Sequence, residues 1–160
     1  EFNAGCEQHG NKATLLSHTT LALAAELLAD CDEPVTVVCD KHGGRNKYAA
    51  LLQHFFPDEL IQVRRESLAE SSYACGARGR KIEFHFRAGG ERSLPTAVAS
   101  MAAKYLRELA MLAWNAFWQS HIPALRPTAG YPGDAARFHR EIRAKQQELG
   151  IEDGHLWRSR

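Results

Sequence analysis

Apolar positions recur at helical spacing from Thr14 to Leu28, a Leu- and Ala-rich stretch that follows the polar Gly10-Asn11-Lys12 and predicts an amphipathic helix. Cys31-Asp32-Glu33-Pro34 stops it. The pattern then changes to the run Val35-Thr36-Val37-Val38-Cys39, short, β-branched and apolar, as in a strand covered on both faces of a parallel sheet. Asp40 stands at its C-terminal end, where open α/β sheets bring ligand-binding groups into a crevice. Lys41 to Arg45 reads as a basic turn, and Lys47 to Phe56 as a short helix with Tyr48, Leu51, Leu52 and Phe55 at helical spacing. Leu60–Val63 and Lys81–Phe86 read as strands, the second with Ile82, Phe84 and Phe86 alternating with Glu83 and His85. Ser71 to Arg80 between them reads as a polar connection.

Leu94 to Trp118 gives the strongest helical pattern, apolar enough throughout to predict a mostly buried helix, with Trp114, Phe117 and Trp118 as core residues. Pro123 and Pro127 impose an irregular segment through Gly130-Tyr131-Pro132-Gly133. Asp134 is then the expected N-cap of a helix over Ala135–Leu149, closed by Gly150. The order of elements predicts an α/β fold, a central mixed sheet flanked by helices, as one domain over residues 1–160.

Composition adds exclusions. With 44% hydrophobic and 24% charged residues the 160-residue chain is neither disordered nor collagenous. It has no long uninterrupted apolar run and no basic stretch leading into an apolar core at its start, so membrane anchoring and secretion are not expected and a cytoplasmic, monomeric protein is. Cys6, Cys31, Cys39 and Cys75 never form a C-x-x-C knuckle, which predicts reduced, mostly buried thiols rather than a zinc site or a disulfide framework. Net charge is only +1, but residues 1–40 hold one Lys against seven acids, whereas residues 41–107 hold twelve Lys and Arg against six acids. The basic middle suits a phosphate backbone, whose condensed counterions it would release.

Two acids at element ends, Asp40 and Glu91 in Gly89-Gly90-Glu91-Arg92-Ser93, are candidates to hold a hard divalent cation such as Mg²⁺. Lys104 and Arg107 share a helix face and could contact phosphate, and the Lys41 to Arg45 loop offers Lys41 and Arg45 to an anion. Arg78, Arg80, Lys81, Arg87 and Arg92 could extend that surface, while His42 and His85 read as structural histidines.

The segment Ala99-Ser100-Met101-Ala102-Ala103-Lys104-Tyr105-Leu106-Arg107-Glu108-Leu109-Ala110-Met111 resembles the A-S-x-x-A-K-x-x-R-D-x-x-M helix of the ribonuclease HII/HIII family, with Glu108 in place of Asp. Glu91, four residues before Pro95, resembles the acid that precedes this helix, and its being Glu resembles the HIII branch. Gly130-Tyr131 is similar to the family's Gly-Tyr motif, His155-Leu156-Trp157-Arg158-Ser159 to its basic tail, and Val37-Val38-Cys39-Asp40 to its apolar strand ending in a catalytic Asp. The resemblance implies a ribonuclease H-like fold and a metal-dependent endonuclease acting on the RNA strand of RNA–DNA hybrids, or on DNA with embedded ribonucleotides. It implies a two-metal site for Mg²⁺ or Mn²⁺ with Asp40 and Glu91 as ligands. Ser100, Lys104 and Arg107 would lie near the nucleic-acid backbone, and Tyr131 on the sugar beside a ribonucleotide, whose 2′-hydroxyl separates RNA from DNA.

The family's opening D-E-x-G strand has no counterpart, since Asp32-Glu33-Pro34 has Pro34 at the x position, and the basic region around Ser72 to Arg92 is longer than in typical HII proteins. The expectation is therefore the C-terminal part of a longer protein, with the remaining metal ligands in the absent segment and little or no cleavage by this chain alone. Two rivals stand beside it: a non-catalytic nucleic-acid-binding module of the same fold, and a phosphate-handling enzyme using the Lys41–Arg45 loop as an anion nest. The second lacks any G-x-x-x-x-G-K-[ST] or G-x-G-x-x-G pattern.

Overall fold

The computed structural model describes residues 2–76, 80–89 and 93–158, and the chain divides into two compact units. One, Ala4–Ala99, contains the sheet; the other holds Ser100–Arg160 with the first residues up to Asn3. Among the described residues the order is α1 (Phe2–His9), α2 (Lys12–Leu28), β1 (Val35–Asp40), α3 (Ala49–Phe55), β2 (Gln62–Glu66), β3 (Glu70–Cys75), β4 (Ile82–Arg87), α4 (Leu94–His121), α5 (Pro132–Glu148) and α6 (Asp153–Leu156). This is a mixed α/β architecture.

In the sheet unit the strand order is β1-β4-β3-β2, a β2-β3-β4 antiparallel meander with β1 added parallel to β4. Period-two alternation decides which face is covered. Ile82, Phe84 and Phe86 of β4 and Tyr73 and Cys75 of β3 are buried against Leu21, Ala24 and Leu28 of α2 and Leu52 of α3. The opposite face carries Asp40, Glu70, Ser72, Glu83, His85 and Arg87. Asn11 starts α2 by accepting a bond from the Thr14 amide at 2.9 Å, which satisfies one of the donors a helix N-terminus leaves open.

Three readings of the sequence are corrected. The polar connection over Ser71–Arg80 is in its first half a strand, β3: Ser71, Tyr73 and Cys75 point into the core, and buried Ser71 donates to the Asn46 carbonyl at 2.6 Å, so a polar residue sits there without an unmet hydrogen bond. The α5 helix begins at Pro132 with Tyr131 as N-cap, because Pro preset for helical φ takes the first position; Asp134 lies inside the first turn. The long helix α4 is not mostly buried. Only Trp118 is fully covered, while Leu94 (76%), Met101 (70%) and Leu112 (67%) are exposed, since α5 and the segment before it cover a single stripe of its surface. All four cysteines are free, with Cys75 buried and the others half-buried; burial pushes the Cys39 and Cys75 thiols up to about 11 and keeps them protonated. No helix among the described residues is long and apolar enough to cross a membrane.

Helix α1 packs on α2 through Gly5, where a Cβ would stand 2.9 Å from Leu15 Cδ1, and through imidazoles: His9 stacks on His18 at 4.3 Å, and His18 meets His54 of α3 at 5.8 Å and Phe55 at 5.5 Å. Burial first, then the charges of His9, His54 and Arg45, lower the His18 pKa. A histidine titrating lower when folded adds most stability above its ordinary value of 6.5 and loses it as pH falls below that. The urea midpoint of the protein should therefore fall between about pH 7.5 and about pH 5.5, and His18→Phe should flatten the fall; an unchanged slope in the variant would refute the assignment.

Candidate nucleic-acid interface

Asp40 is exposed at the C-terminal end of β1, in register with Arg87; burial raises the Tyr48 pKa and lowers that of His42, and the Asp40 charge adds to the first and opposes the second. The loop that follows is held by side chains. The Lys41 ammonium donates to the Ser67 carbonyl at 2.5 Å and to Asn46 Oδ1 at 2.6 Å, and lies 3.2 Å from Ser71 Oγ and 3.4 Å from the Arg45 carbonyl. Burial lowers its pKa. The Lys41 charge is thus committed to closing its own loop. Arg45 Nη2 donates to Thr14 Oγ1 in the first turn of α2 at 3.0 Å, and its buried Nε has no hydrogen-bond partner among the described residues. Buried His42 shares a 3.0 Å bond between Nδ1 and Ser17 Oγ, and since that hydroxyl donates to the Ala13 carbonyl, Nδ1 is the donor. Burial lowers the His42 pKa and keeps the ring neutral.

Beside Asp40 on the open sheet face, Glu70 accepts from Arg87 Nε at 2.8 Å and His85 Nδ1 at 3.0 Å. These bonds, His85 first, hold its carboxyl at about 2. Sequence reasoning missed Glu70 because β3 was not recognised; the alternation of Ser71, Tyr73 and Cys75 with Glu70, Ser72 and Ala74 was the available signal.

The helical unit places four of the anticipated residues on neighbouring positions. Ser100, Lys104 and Arg107 follow one another a turn apart on α4, with Lys104 exposed. Arg107 reaches across to the segment Arg126–Tyr131, where its Nη2 donates to the Ala129 carbonyl at 2.5 Å and its guanidinium lies 4.8 Å from the centre of the Tyr131 ring. Tyr131 remains 61% exposed, so the stacked pair faces solvent. Gly130 makes this approach possible: it has φ +72°, and a Cβ there would stand 3.2 Å from Met111 Sδ and 3.3 Å from Arg107 Nη2. Trp118 is core as expected, with Leu125, Phe138 and Ile142, whereas Phe117 is 44% exposed.

Four further residues anchor the same segment. Asn115 exchanges two bonds with Thr128, donating to its carbonyl at 2.9 Å and accepting from its amide at 2.8 Å. Arg137 donates to the Arg126 carbonyl at 3.2 Å and the Pro127 carbonyl at 3.1 Å while pairing with Asp134 through Nε at 2.7 Å and Nη2 at 2.9 Å. Bonds from Arg137 and then Thr128 hold the Asp134 carboxyl at about 2. Nothing in the spacing of Asn115, Thr128, Asp134 and Arg137 marks them in the sequence.

Glu91, with Arg78 and Arg92, lies outside the described residues. Asp40, Lys41 and Arg45 belong to the sheet unit, and Ser100, Lys104, Arg107 and Tyr131 to the helical unit. Among the described residues no group of three or more His, Cys, Asp or Glu side chains could hold a metal ion, so these residues do not by themselves complete a metal cage. Protein-family models, curated proteins and solved structures contain no match to the chain.

The constraint on Gly130 is checked by substitution. Gly130→Ala should destabilise the protein by about 1–3 kcal/mol in urea unfolding, because a Cβ is strained at this φ and meets Met111 and Arg107. A neutral effect would show that the segment yields freely.

Proposed function

We propose that this chain is the C-terminal portion of a type 2 ribonuclease H, with a ribonuclease H-like fold, and that it acts in metal-dependent endonucleolytic cleavage of the RNA strand of RNA–DNA hybrids or of DNA with embedded ribonucleotides. The observation that carries the reading is the meeting of Arg107 with Tyr131, 24 residues away in sequence, on an exposed surface that Lys104 and Ser100 continue along α4. A cation beside phosphate and an exposed ring beside a sugar are what a hybrid backbone requires. Mg²⁺ or Mn²⁺ would be held by Asp40 and Glu91 together with ligands from outside the described residues, and would activate water and stabilise the leaving oxygen. The second reading is a non-catalytic nucleic-acid-binding module with the same surface, carried by the same Arg107–Tyr131 pair.

Fluorescence anisotropy with an RNA–DNA hybrid, the matching DNA duplex and a mononucleotide tests the reading. The hybrid should bind most tightly, and Lys104→Ala should weaken it while lowering the slope of log affinity against log salt by about 1. Preference for the mononucleotide would favour the anion-nest rival and overturn the proposal. Any hybrid cleavage seen with Mn²⁺ or Mg²⁺ should fall to background in Asp40→Asn and in Glu91→Gln with the fold retained. Cleavage that survives both substitutions refutes the metal assignment, and hybrid binding without cleavage in a protein that has all its segments would establish the second reading.

A further inference from the structure

The segment from Arg126 to Tyr131 is irregular, yet each of its first four carbonyls accepts a side-chain hydrogen bond from a flanking helix. Arg126 and Pro127 are met by Arg137 of α5, Thr128 by Asn115 of α4 and Ala129 by Arg107 of α4. The Tyr131 carbonyl accepts the first amides of α5, from Asp134 and Ala135, both at 3.0 Å, and the Gly130 amide donates to Thr128 Oγ1 at 3.0 Å. Loops ordinarily leave such groups to water and remain mobile. Here the chain's own donors remove that freedom before any ligand arrives, which is how a binding surface avoids losing entropy on association.

Arg137 is the centre of this arrangement. Its planar guanidinium joins the paired carboxylate of Asp134 to two successive carbonyls, and a fifth bond ties it to Glu141. A lysine, with one nitrogen in place of three, could not span those acceptors. Thr128, whose hydroxyl accepts from Gly130, also bonds the same Asp134. We infer that Arg137 is a positioning residue for nucleic-acid recognition: through Asp134 and the Arg126 and Pro127 carbonyls it fixes where the Tyr131 ring stands under Arg107, and so sets discrimination between a hybrid and a DNA duplex without touching either. This rests on the nucleic-acid reading above and adds a residue that the sequence resemblance does not supply.

The test compares the wild type with Arg137→Gln, Arg137→Lys and Asn115→Ala, each first shown folded by Trp fluorescence and a cooperative thermal transition. Hydrogen exchange at the Gly130 amide is measured alongside affinity for the hybrid and for the DNA duplex. In Arg137→Gln exchange should quicken by about tenfold or more and hybrid preference should fall by about tenfold, the size of effect that a displaced rigid contact gives. Lysine should not restore either value. The salt slope should stay unchanged, because Arg137 makes no phosphate contact, whereas Lys104→Ala should lower the slope and leave Gly130 exchange as it was. Should Arg137→Gln fail to fold, Asn115→Ala, which frees the carbonyl and the amide of Thr128 alone, carries the same comparison. Unchanged Gly130 exchange, or faster exchange with hybrid preference intact, overturns the inference. A wild type with no hybrid preference instead removes the functional reading itself, before any variant is compared.

Discussion

Irregular backbone has to find hydrogen-bond partners when no strand or helix supplies them, and in both units of this protein the partners are side chains. The loop after β1 is built this way. The His42 amide donates to the Tyr48 hydroxyl and the Tyr48 amide to the Tyr73 hydroxyl, at 3.0 Å and 2.9 Å, while Tyr73 in turn donates to Glu66 at 2.7 Å. Tyr48 stacks on Phe86 with centroids 3.7 Å apart and planes 4° from parallel, so the polar chain runs over an aromatic wall. Lys41 closes the loop from the other side. The Arg126–Tyr131 segment repeats the principle with amide and guanidinium donors in place of phenols.

This division of labour separates cations that build the protein from cations that are available to a partner. Lys41 and Arg107 look like phosphate ligands in the sequence, but each, like Arg137, is engaged with carbonyls or carboxylates of its own chain. Phosphate would have to compete with bonds already made, and a hydrogen bond to a charged group contributes about 1.5–3 kcal/mol. In the proposed interface Arg107 would act mainly by standing over Tyr131, whereas exposed Lys104, a turn away, would offer a cation with no side-chain bond among the described residues to give up.

What could be read from the sequence was what periodicity carries. The covered face of β4 follows from Ile82, Phe84 and Phe86, and α2, α3 and α5 follow from apolar residues at helical spacing. Strand β3 was hidden because one of its three core-facing positions is Ser71 and its outer face is Glu70 and Ser72; only its hydrogen bonds to the loop before α3 make that composition stable in a sheet. Helix α1 was hidden because its contact with α2 is made by Gly5 and His9 rather than by an apolar stripe. Arg107 and Tyr131 could be named from motifs, but the residues that hold them in place are separated from them by spacings no periodic pattern produces. The exposure of α4 was equally illegible, since an all-round apolar helix gives no sign of which stripe its own unit will cover.

Charge in the helical unit follows the same logic. Glu108 is paired with Arg107, Asp134 and Glu141 with Arg137, and Glu148 with Lys145, so four acids share three cations inside the unit. Lys104, Arg126, Arg140 and Arg143 are exposed outside those pairs. Exposed ion pairs add little stability, but they cancel field locally, and with Glu152 and Asp153 counted the residues from Ser100 to Arg160 hold nine Lys and Arg against six acids. The stretch from Ser100 to Arg160 thus carries a cationic excess that the total for the chain, at +1, conceals. For the polyanion of the proposed function the relevant quantity is the local field near the exposed Tyr131 ring, which depends on where these charges stand and not on the total for the whole chain.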